Sequence, residues 1–258
     1  MRRLLALLLL LAGPAQAQDR PRLLGLVAEG GDFRADLSDG THLRGADLVG
    51  AVLHLAGAEL RIDSARRDAT VPRAGDVWLF GISARAQGGG WQPLCAPDPA
   101  GESLAMPYPG EDGALRLTCS AGAIGKCIRF GYRPWASLPD GRPLAPFHAA
   151  CTNMVRAAYG GPAEGEAGGA WTRNGMRIDV FDEVGIQSPD NDPGDAFEAG
   201  WRPDGAACLA HVRVPENGDL AAVLAAHPRL AALSGPAVCT REAAAAAGAL
   251  VFNRSPRR

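Results

Sequence analysis

Cys151 is the side chain whose type and setting could give this protein a catalytic role. It lies in the segment "FHAACTNMVRAAYGG", residues 147–161, three residues after His148. A thiolate beside an imidazole can act as a nucleophile, but the same side chain could also bind a metal or form half of a disulfide. These roles predict different classes of protein, so the residues around Cys151 have to distinguish between them.

The position of Cys151 in its predicted helix favours a disulfide. Residues 151–155 followed by Tyr159 resemble the nucleophile helix of the NlpC/P60 cell-wall peptidases, and His211 would then supply the base. However, Pro146 suits the first turn of the helix, so Cys151 lies beyond that turn, where the helix dipole lowers a thiol pKa very little. Cys151 also falls on the apolar stripe of the helix. We therefore expect a structural bridge, with a thiol hydrolase using Cys151 and His211 as the alternative.

A second group of polar residues follows this helix. Asp179 and Asp182 in "RIDVFD" could act as an acid and a base. Residues three apart in a strand point to opposite faces, so these carboxylates converge only if the chain bends, and Asp182 could instead hold a turn. The candidate binding residues of this region are Arg173, Asp179, Asp182, Glu198, Trp201 and His211.

The sequence does not predict a metal or cofactor site. It has no C-x2-C or H-x3-H pair of the kind that binds structural zinc. The segment "DNDPGDAFE", residues 190–198, resembles a calcium loop, but its carboxylates are out of register with an EF-hand. A solvated acidic loop is the favoured interpretation. There is also no P-loop, dinucleotide fingerprint or nucleophile elbow.

The N-terminus has the three parts of a secretory signal. Arg2 and Arg3 precede the apolar run of residues 4–11, and Ala15-Gln16-Ala17 is a small-x-small cleavage site. The apolar run is shorter than the roughly 20 residues needed to cross a bilayer. We predict a signal peptide over residues 1–17, an extracytoplasmic location (periplasmic or secreted) and no permanent membrane anchor.

Charge and cysteine content agree with export. Without Arg2 and Arg3 the mature chain has 24 basic against 28 acidic residues and no basic cluster, which argues against nucleic-acid binding. Lys126 is the only lysine, and alanine and glycine are abundant, which indicates a GC-rich bacterial gene. An even number of cysteines in an oxidising compartment predicts three disulfides, whose pairing the sequence leaves open among 15 connectivities. The six are Cys95, Cys119, Cys127, Cys151, Cys208 and Cys239.

The predicted fold is α+β in two regions. Residues 18–95 contain short apolar or alternating runs separated by glycine-rich turns, which indicates a β-meander. Residues 96–113 are rich in proline, glycine and acids and are predicted to be a linker or long loop. Residues 114–258 should form a disulfide-stapled domain of helices and strands.

Several helix ends can be predicted in this second region. A short helix should lie within residues 120–131 with Ser120 as N-cap, and a longer one within residues 144–160, ending at Gly160. Two C-terminal helices should begin at the caps Asp219 and Thr240.

Four ordered segments resemble the ADYC-domain family of secreted bacterial proteins. They are "CSAGAIGKCIRFGYRPW", "FHAACTNMVRAAYGG", "TRNGMRIDVFDEVGIQ" and "FEAGWRPDGAACLAHVRV", and they span about residues 115–215. The Ala-Asp-Tyr-Cys stretch that names the family corresponds to Ala157, Ala158, Tyr159 and Gly160. Its aspartate and cysteine are missing here, which fits the loss of one bridge together with its partner. The resemblance implies an exported domain of this type and carries no catalytic mechanism.

These observations lead to two functional hypotheses. The favoured one is a non-catalytic exported domain that binds a small molecule, an envelope component or another protein. The alternative is a cell-envelope hydrolase that uses Cys151 with His211, or Asp179 with Asp182.

Overall fold

The protein has an α+β fold with several antiparallel sheets and four α-helices in the described part of the chain. The computed structural model describes residues 21–55, 58–70, 77–86, 88–162 and 176–257. The predicted signal peptide and Arg173 lie outside these ranges, as does most of the glycine-rich segment after residue 162.

The N-terminal region consists of two antiparallel sheets, as predicted for a β-meander. Three strands form the first sheet in the order β1-β2-β3: β1 (Leu23–Glu29), β2 (Asp32–Leu37) and β3 (His42–Arg44). The second sheet has the order β4-β5-β6-β8-β9, with β7 also paired to β6. Its strands are β4 (Val52–Leu55), β5 (Ala58–Arg67), β6 (Trp78–Ala86), β7 (Gln92–Pro93), β8 (Leu104–Pro109) and β9 (Leu115–Cys119).

One apolar core joins the two sheets. Phe33 on β2 and Phe80 on β6 are fully buried, with ring centroids 4.9 Å apart in an edge-to-face arrangement. Ile62 on β5 belongs to the same cluster. Burying such side chains contributes about 1.5–3 kcal/mol each, so this core stabilises the packing of one sheet on the other.

Part of the predicted linker is a strand. Leu104–Pro109 within residues 96–113 forms β8, which pairs with β9 along its length and with β6 at Leu104 and Ala105 only. Proline lacks a donor N–H, so Pro107 and Pro109 are tolerated where β6 no longer pairs with β8. The prediction of a linker or long loop is therefore wrong for residues 104–109. The division into two domains stays a prediction.

The C-terminal region is a four-stranded antiparallel sheet with helices on both faces. The strand order is β10-β13-β11-β12, formed by β10 (Asp179–Asp182), β11 (Asp195–Arg202), β12 (Gly205–Leu209) and β13 (Val251–Pro256). The helices are α1 (Ala123–Arg129), α2 (Ala145–Arg156), α3 (Leu220–Ala226) and α4 (Arg241–Ala246), with 3-10 turns at Gly45–Leu48, Pro215–Asn217 and Pro228–Leu233. Helix α2 packs with Trp201 on one face, and Ala244 of α4 packs with Phe252 on the other.

The helix ends agree with the predictions in part. The Asp219 and Thr240 side chains accept hydrogen bonds from the N–H groups of Ala222 and Ala243, as N-caps do. Gly122 rather than Ser120 caps α1, and no side chain bonds there. Helix α2 ends at Arg156, and its C-cap Ala157 has a left-handed backbone with φ of 52°, so the predicted stop at Gly160 is wrong.

The six cysteines form three disulfides, as predicted. The pairs are Cys95–Cys119, Cys127–Cys151 and Cys208–Cys239. The first closes the segment that contains β8, the second joins α1 to α2, and the third ties β12 to the turn before α4. Three such bridges are typical of a protein from an oxidising, non-cytoplasmic compartment.

Candidate functional site

Cys151 is half of a disulfide and has no thiol to offer as a nucleophile. It is fully buried on α2 and bonded to Cys127. His211, the proposed base, lies elsewhere: its ring nitrogens contact the Phe197 carbonyl and the Ser255 hydroxyl, each at 3.0 Å. The arrangement proposed for a Cys151–His211 hydrolase is therefore not formed.

Asp182 holds a turn, which was the non-catalytic alternative for this residue. Its carboxylate accepts the Tyr132 hydroxyl at 2.8 Å and the backbone N–H groups of Val184, Ile186 and Gln187. Four hydrogen bonds use all of the acceptor positions that a carboxylate provides. Asp182 therefore shapes the loop after β10 and has no free lone pair for a substrate.

Asp179 lies at the other end of β10 and serves a different loop. One oxygen accepts the Asp190 backbone N–H at 3.0 Å, and the other is buried without a hydrogen-bond partner. Burial raises the pKa of Asp179 above its usual value, and the Asp190 carboxylate adds to this effect. The two aspartates have separate partners, so the sequence-based acid/base pair is not assembled.

Glu198 is the centre of a buried polar network. Its carboxylate accepts hydrogen bonds from the Tyr159 hydroxyl at 2.9 Å, from the Arg213 side chain at 3.0 Å and from the Asn253 amide at 2.6 Å. The Arg213 guanidinium also donates to the Met154 carbonyl of α2 at 2.7 Å. All members are at most 2 % exposed, so the network joins α2 to the sheet and is closed to a ligand.

Trp201 and His211 are structural members of the same region. The Trp201 indole N–H donates to Asn253 at 2.8 Å, and its ring stacks on Tyr159 with centroids 5.4 Å apart. Burial lowers the pKa of His211, so its imidazole is neutral. Because a carbonyl can only accept, Nδ1–H donates to the Phe197 carbonyl, and Nε2 accepts a hydrogen bond from the Ser255 hydroxyl. Ser255 is fully buried, so this Ser–His contact does not face a substrate. A cavity of about 450 Å³ lies beside His211 without including Ser255.

A further site is a cleft that the sequence does not reveal. It has a volume of about 820 Å³ and lies between the β8–β9 hairpin and the N-terminal half of α2. We call it the hairpin cleft. Its walls are formed by Tyr108, Pro109, Gly110, Glu111, Asp112, Arg116, Pro134, Trp135, Ala145, His148 and Ala149.

The β8–β9 turn fixes the polar side of the hairpin cleft. Asp112 accepts the backbone N–H of Ala114 at 3.0 Å and the Arg116 guanidinium at 2.9 Å. The hydrogen bond from the Ala114 N–H lowers the pKa of Asp112 most, and the Arg116 guanidinium lowers it as well. The Asp112 carboxylate therefore stays ionised. A Cβ at Gly110 would lie 2.7 Å from the Asp112 carboxylate and 2.9 Å from the Arg116 side chain, so a larger residue here would displace one of the two partners.

His148 forms part of the opposite wall. Its Nε2 lies 3.2 Å from the Ile124 carbonyl and must donate to it, which leaves Nδ1 as an acceptor. Burial lowers the pKa of His148 to about 4, so the imidazole is neutral at physiological pH. The cleft therefore offers aromatic rings, an ion pair and a neutral imidazole.

No group of three or more His, Cys, Asp or Glu side chains is placed to bind a metal ion within the described ranges. In the acidic segment 190–198, Arg177 bonds Asp192 and Asp195 at 2.6 and 2.5 Å, and Asp192 also accepts the Gly194 N–H. The segment is thus held by an arginine and by turn contacts.

The model of the ADYC domain matches residues 40–215 of this sequence. The chain belongs to the ADYC-domain family. The match begins within the β-rich region, so the family domain extends further towards the N-terminus than residue 115, where the sequence resemblance starts. No curated protein and no solved structure matches the chain. None of the described helices is long and apolar enough to span a membrane.

The family motif has a structural role in this chain. Tyr159 anchors the Glu198 network, and Ala158, the position that the resemblance assigns to the aspartate of the motif, is fully buried. A Cβ at Gly160 would collide with the His227 ring. The imidazole of His227 therefore occupies the space that a larger side chain at position 160 would enter.

Proposed function

We propose that this ADYC-domain protein is exported and binds its ligand, without catalysis, in the hairpin cleft. The basic start, apolar run and A-x-A site of residues 1–17 support export, as do the three disulfides. The ligand is a small molecule or a component of the cell envelope. The protein is proposed to act without nucleic acid and without a permanent membrane anchor.

The hairpin cleft carries this proposal because its side chains are accessible and converge on one space. Tyr108 and Trp135 are half-buried, and Arg116 is 53 % exposed, so a ligand can reach all three. In contrast, Cys151, Asp182 and Glu198 already use their reactive atoms within the protein. A volume of about 820 Å³ lies within the roughly 300–1,000 Å³ of typical small-molecule sites.

Binding can be tested with Trp135 as the reporter. Purified mature protein would be titrated with fractionated envelope extract and with small-molecule fractions while heat and tryptophan fluorescence are recorded. We expect saturable binding that Trp135→Ala weakens about tenfold or more. Trp91→Ala is the matched control, because Trp91 lies between Arg61 and Arg85, outside the cleft. Equal binding by wild type and Trp135→Ala contradicts a role for the cleft.

Two further measurements address the hydrolase alternative and export. The native mature protein should have no thiol that reacts with an alkylating reagent, whereas a Cys151 nucleophile requires one. Intact mass of protein recovered outside the cytoplasm should place the N-terminus at Gln18. A mass that retains residues 1–17 indicates an anchored protein and argues against release from the membrane.

A further inference from the structure

The chemistry of the hairpin cleft also indicates which class of ligand it binds. Resting on the proposed function, we infer that the cleft binds a neutral oligosaccharide. Three features carry this inference: two aromatic side chains on the walls, a mixed rim of hydrogen-bond donors and acceptors, and the absence of an excess of positive charge among the lining residues.

The aromatic walls suit the apolar faces of sugar rings. Tyr108 and Trp135 each present an apolar ring surface together with a polar tip, a combination found at binding surfaces that are partly wet. Pro109 follows Tyr108 and Pro134 precedes Trp135, and the fixed φ of each proline restricts the backbone beside the ring. Backbone that is restricted in this way loses little conformational entropy when a ligand stacks on the rings.

The rim can bind hydroxyl groups, which both donate and accept. The Arg116 guanidinium supplies donors, and the carboxylates of Glu111 and Asp112 supply acceptors. The 2.9 Å contact between Arg116 and Asp112 holds one donor and one acceptor side by side before any ligand arrives. Neighbouring hydroxyls of a sugar ring match such a pair, because each can give one hydrogen bond and take another.

The charge of the lining residues disfavours an anionic ligand. The two carboxylates of Glu111 and Asp112 outnumber the guanidinium of Arg116, which is already paired with Asp112. His148 adds no positive charge because its imidazole is buried and neutral. A phosphate or sulfate group would therefore meet net repulsion, whereas an uncharged polyol would not.

The volume of the cleft is large for a single sugar. About 820 Å³ is close to the upper end of the range for drug-sized ligands, so a disaccharide or trisaccharide fits better than a monosaccharide.

The test uses the full mature protein and defined probes. Triacetylchitotriose, cellotriose and maltotriose serve as neutral trisaccharides, and a hyaluronan tetrasaccharide serves as the anionic counterpart. We expect at least one neutral probe to bind by calorimetry and to change tryptophan fluorescence, with the anionic probe binding at least tenfold more weakly. Tyr108→Ala and Trp135→Ala should each weaken binding about tenfold or more, since aromatic anchors dominate such sites. Trp91→Ala should not.

A conservative variant distinguishes loss of the aromatic contact from misfolding of the protein. Trp135→Phe keeps an aromatic ring, so it should retain most of the affinity while losing most of the fluorescence change.

The outcomes separate this inference from the proposed function. If no neutral trisaccharide binds but an envelope fraction or a small-molecule fraction binds in a Trp135-dependent way, the sugar assignment is overturned and the binding function stands. If no probe or fraction binds in a way that depends on Trp135, both the sugar assignment and the proposed binding function are contradicted. Saccharide binding that survives both Tyr108→Ala and Trp135→Ala places the site elsewhere and overturns the assignment of this cleft.

Discussion

Glu198 is an acidic residue at the centre of a buried polar network. Its carboxylate is fully buried and ion-paired with Arg213, which is 2 % exposed. Removing two charges from water is costly, and this cost is offset here by hydrogen bonds from Tyr159 and Asn253. One guanidinium nitrogen of Arg213, Nη1, is still buried without a hydrogen-bond partner. The network therefore has little tolerance for the loss of a member.

We expect Glu198→Ala to lower the free energy of unfolding by about 3–5 kcal/mol, because it leaves the Arg213 charge buried and unpaired. Glu102→Ala is the matched control, since Glu102 pairs with Arg66 on the surface, where both side chains are about half exposed. Its loss should cost less than about 1 kcal/mol. Urea denaturation of both variants measures the difference, and similar losses would contradict a structural role for the network.

His148 should make stability depend on pH. Its pKa is about 4 in the folded protein, against 6.5 for the free side chain, because burial disfavours the charged form. The unfolded chain therefore binds more protons between these values, so stability is complete above about pH 6.5 and falls as the pH decreases towards 4. His148→Gln cannot be protonated and should lack this part of the loss, about 2 kcal/mol by pH 4.5. Denaturation midpoints from pH 7.5 to 4.5 test this, and parallel profiles for the two proteins would contradict it.

At the scale of elements, the sequence predicts best where neighbouring residues determine the structure. Asp219 and Thr240 are recognisable as N-caps because the capping side chain accepts a hydrogen bond from a backbone N–H only three residues further along the chain. Cys151 is recognisable as a bridging residue from its place on an apolar stripe. The errors at Ser120 and Gly160 occur where packing decides the helix end, as with Ala157, which is fully buried in a left-handed conformation.

The hairpin cleft could not be predicted from such local signals. Tyr108 lies on β8 and Trp135 in the turn between α1 and α2, with no periodicity to relate them. In addition, Pro107 and Pro109 make β8 look like a linker, and they are compatible with a strand only because β6 pairs with just the first residues of β8. That relation depends on the order of strands in the sheet. The cysteine pairing could not be predicted for a similar reason, because 15 connectivities are possible until the fold brings particular cysteines together.

The bridge between α1 and α2 should contribute strongly to stability. It closes a loop with a sequence separation of 24 residues, and both cysteines are fully buried. Cys151→Ser should lower the free energy of unfolding by about 2–5 kcal/mol and leave Cys127 open to alkylation in the unfolded protein. The double variant with Cys127→Ser should lose a similar amount, because either change removes the same bond. Near-native stability of Cys151→Ser would instead favour a free thiol at this position.

At the scale of the molecule, the two regions share an interface that also builds the cleft. Ile128 of α1 packs with Leu79 and Met106 of the sheet formed by β4 to β9, here called the large sheet, and with Val77, which directly precedes β6. Arg129 bonds Asp68 at 2.7 Å. The hairpin contributes Tyr108 to the cleft, and the segment before α2 contributes Trp135. The cleft is therefore complete only when the sheet and the helices are joined.

A fragment that begins at residue 120 should fold without the N-terminal sheets but should lack the binding site. The bridges Cys127–Cys151 and Cys208–Cys239, the Glu198 network and both faces of the C-terminal sheet lie within it. Exposure of Ile128 should reduce its stability by about 1.5–3 kcal/mol relative to the same region in the full chain.

Starting at residue 120 rather than 114 matters, because Cys119 pairs with Cys95 and β9 belongs to the large sheet. Cooperative thermal unfolding of the oxidised fragment, followed by circular dichroism, together with loss of ligand binding, is the expected result. A fragment that stays unfolded under oxidising conditions would mean that the sheets and helices form one domain, in which the contacts of Ile128 and Arg129 are required for folding as well as for the cleft.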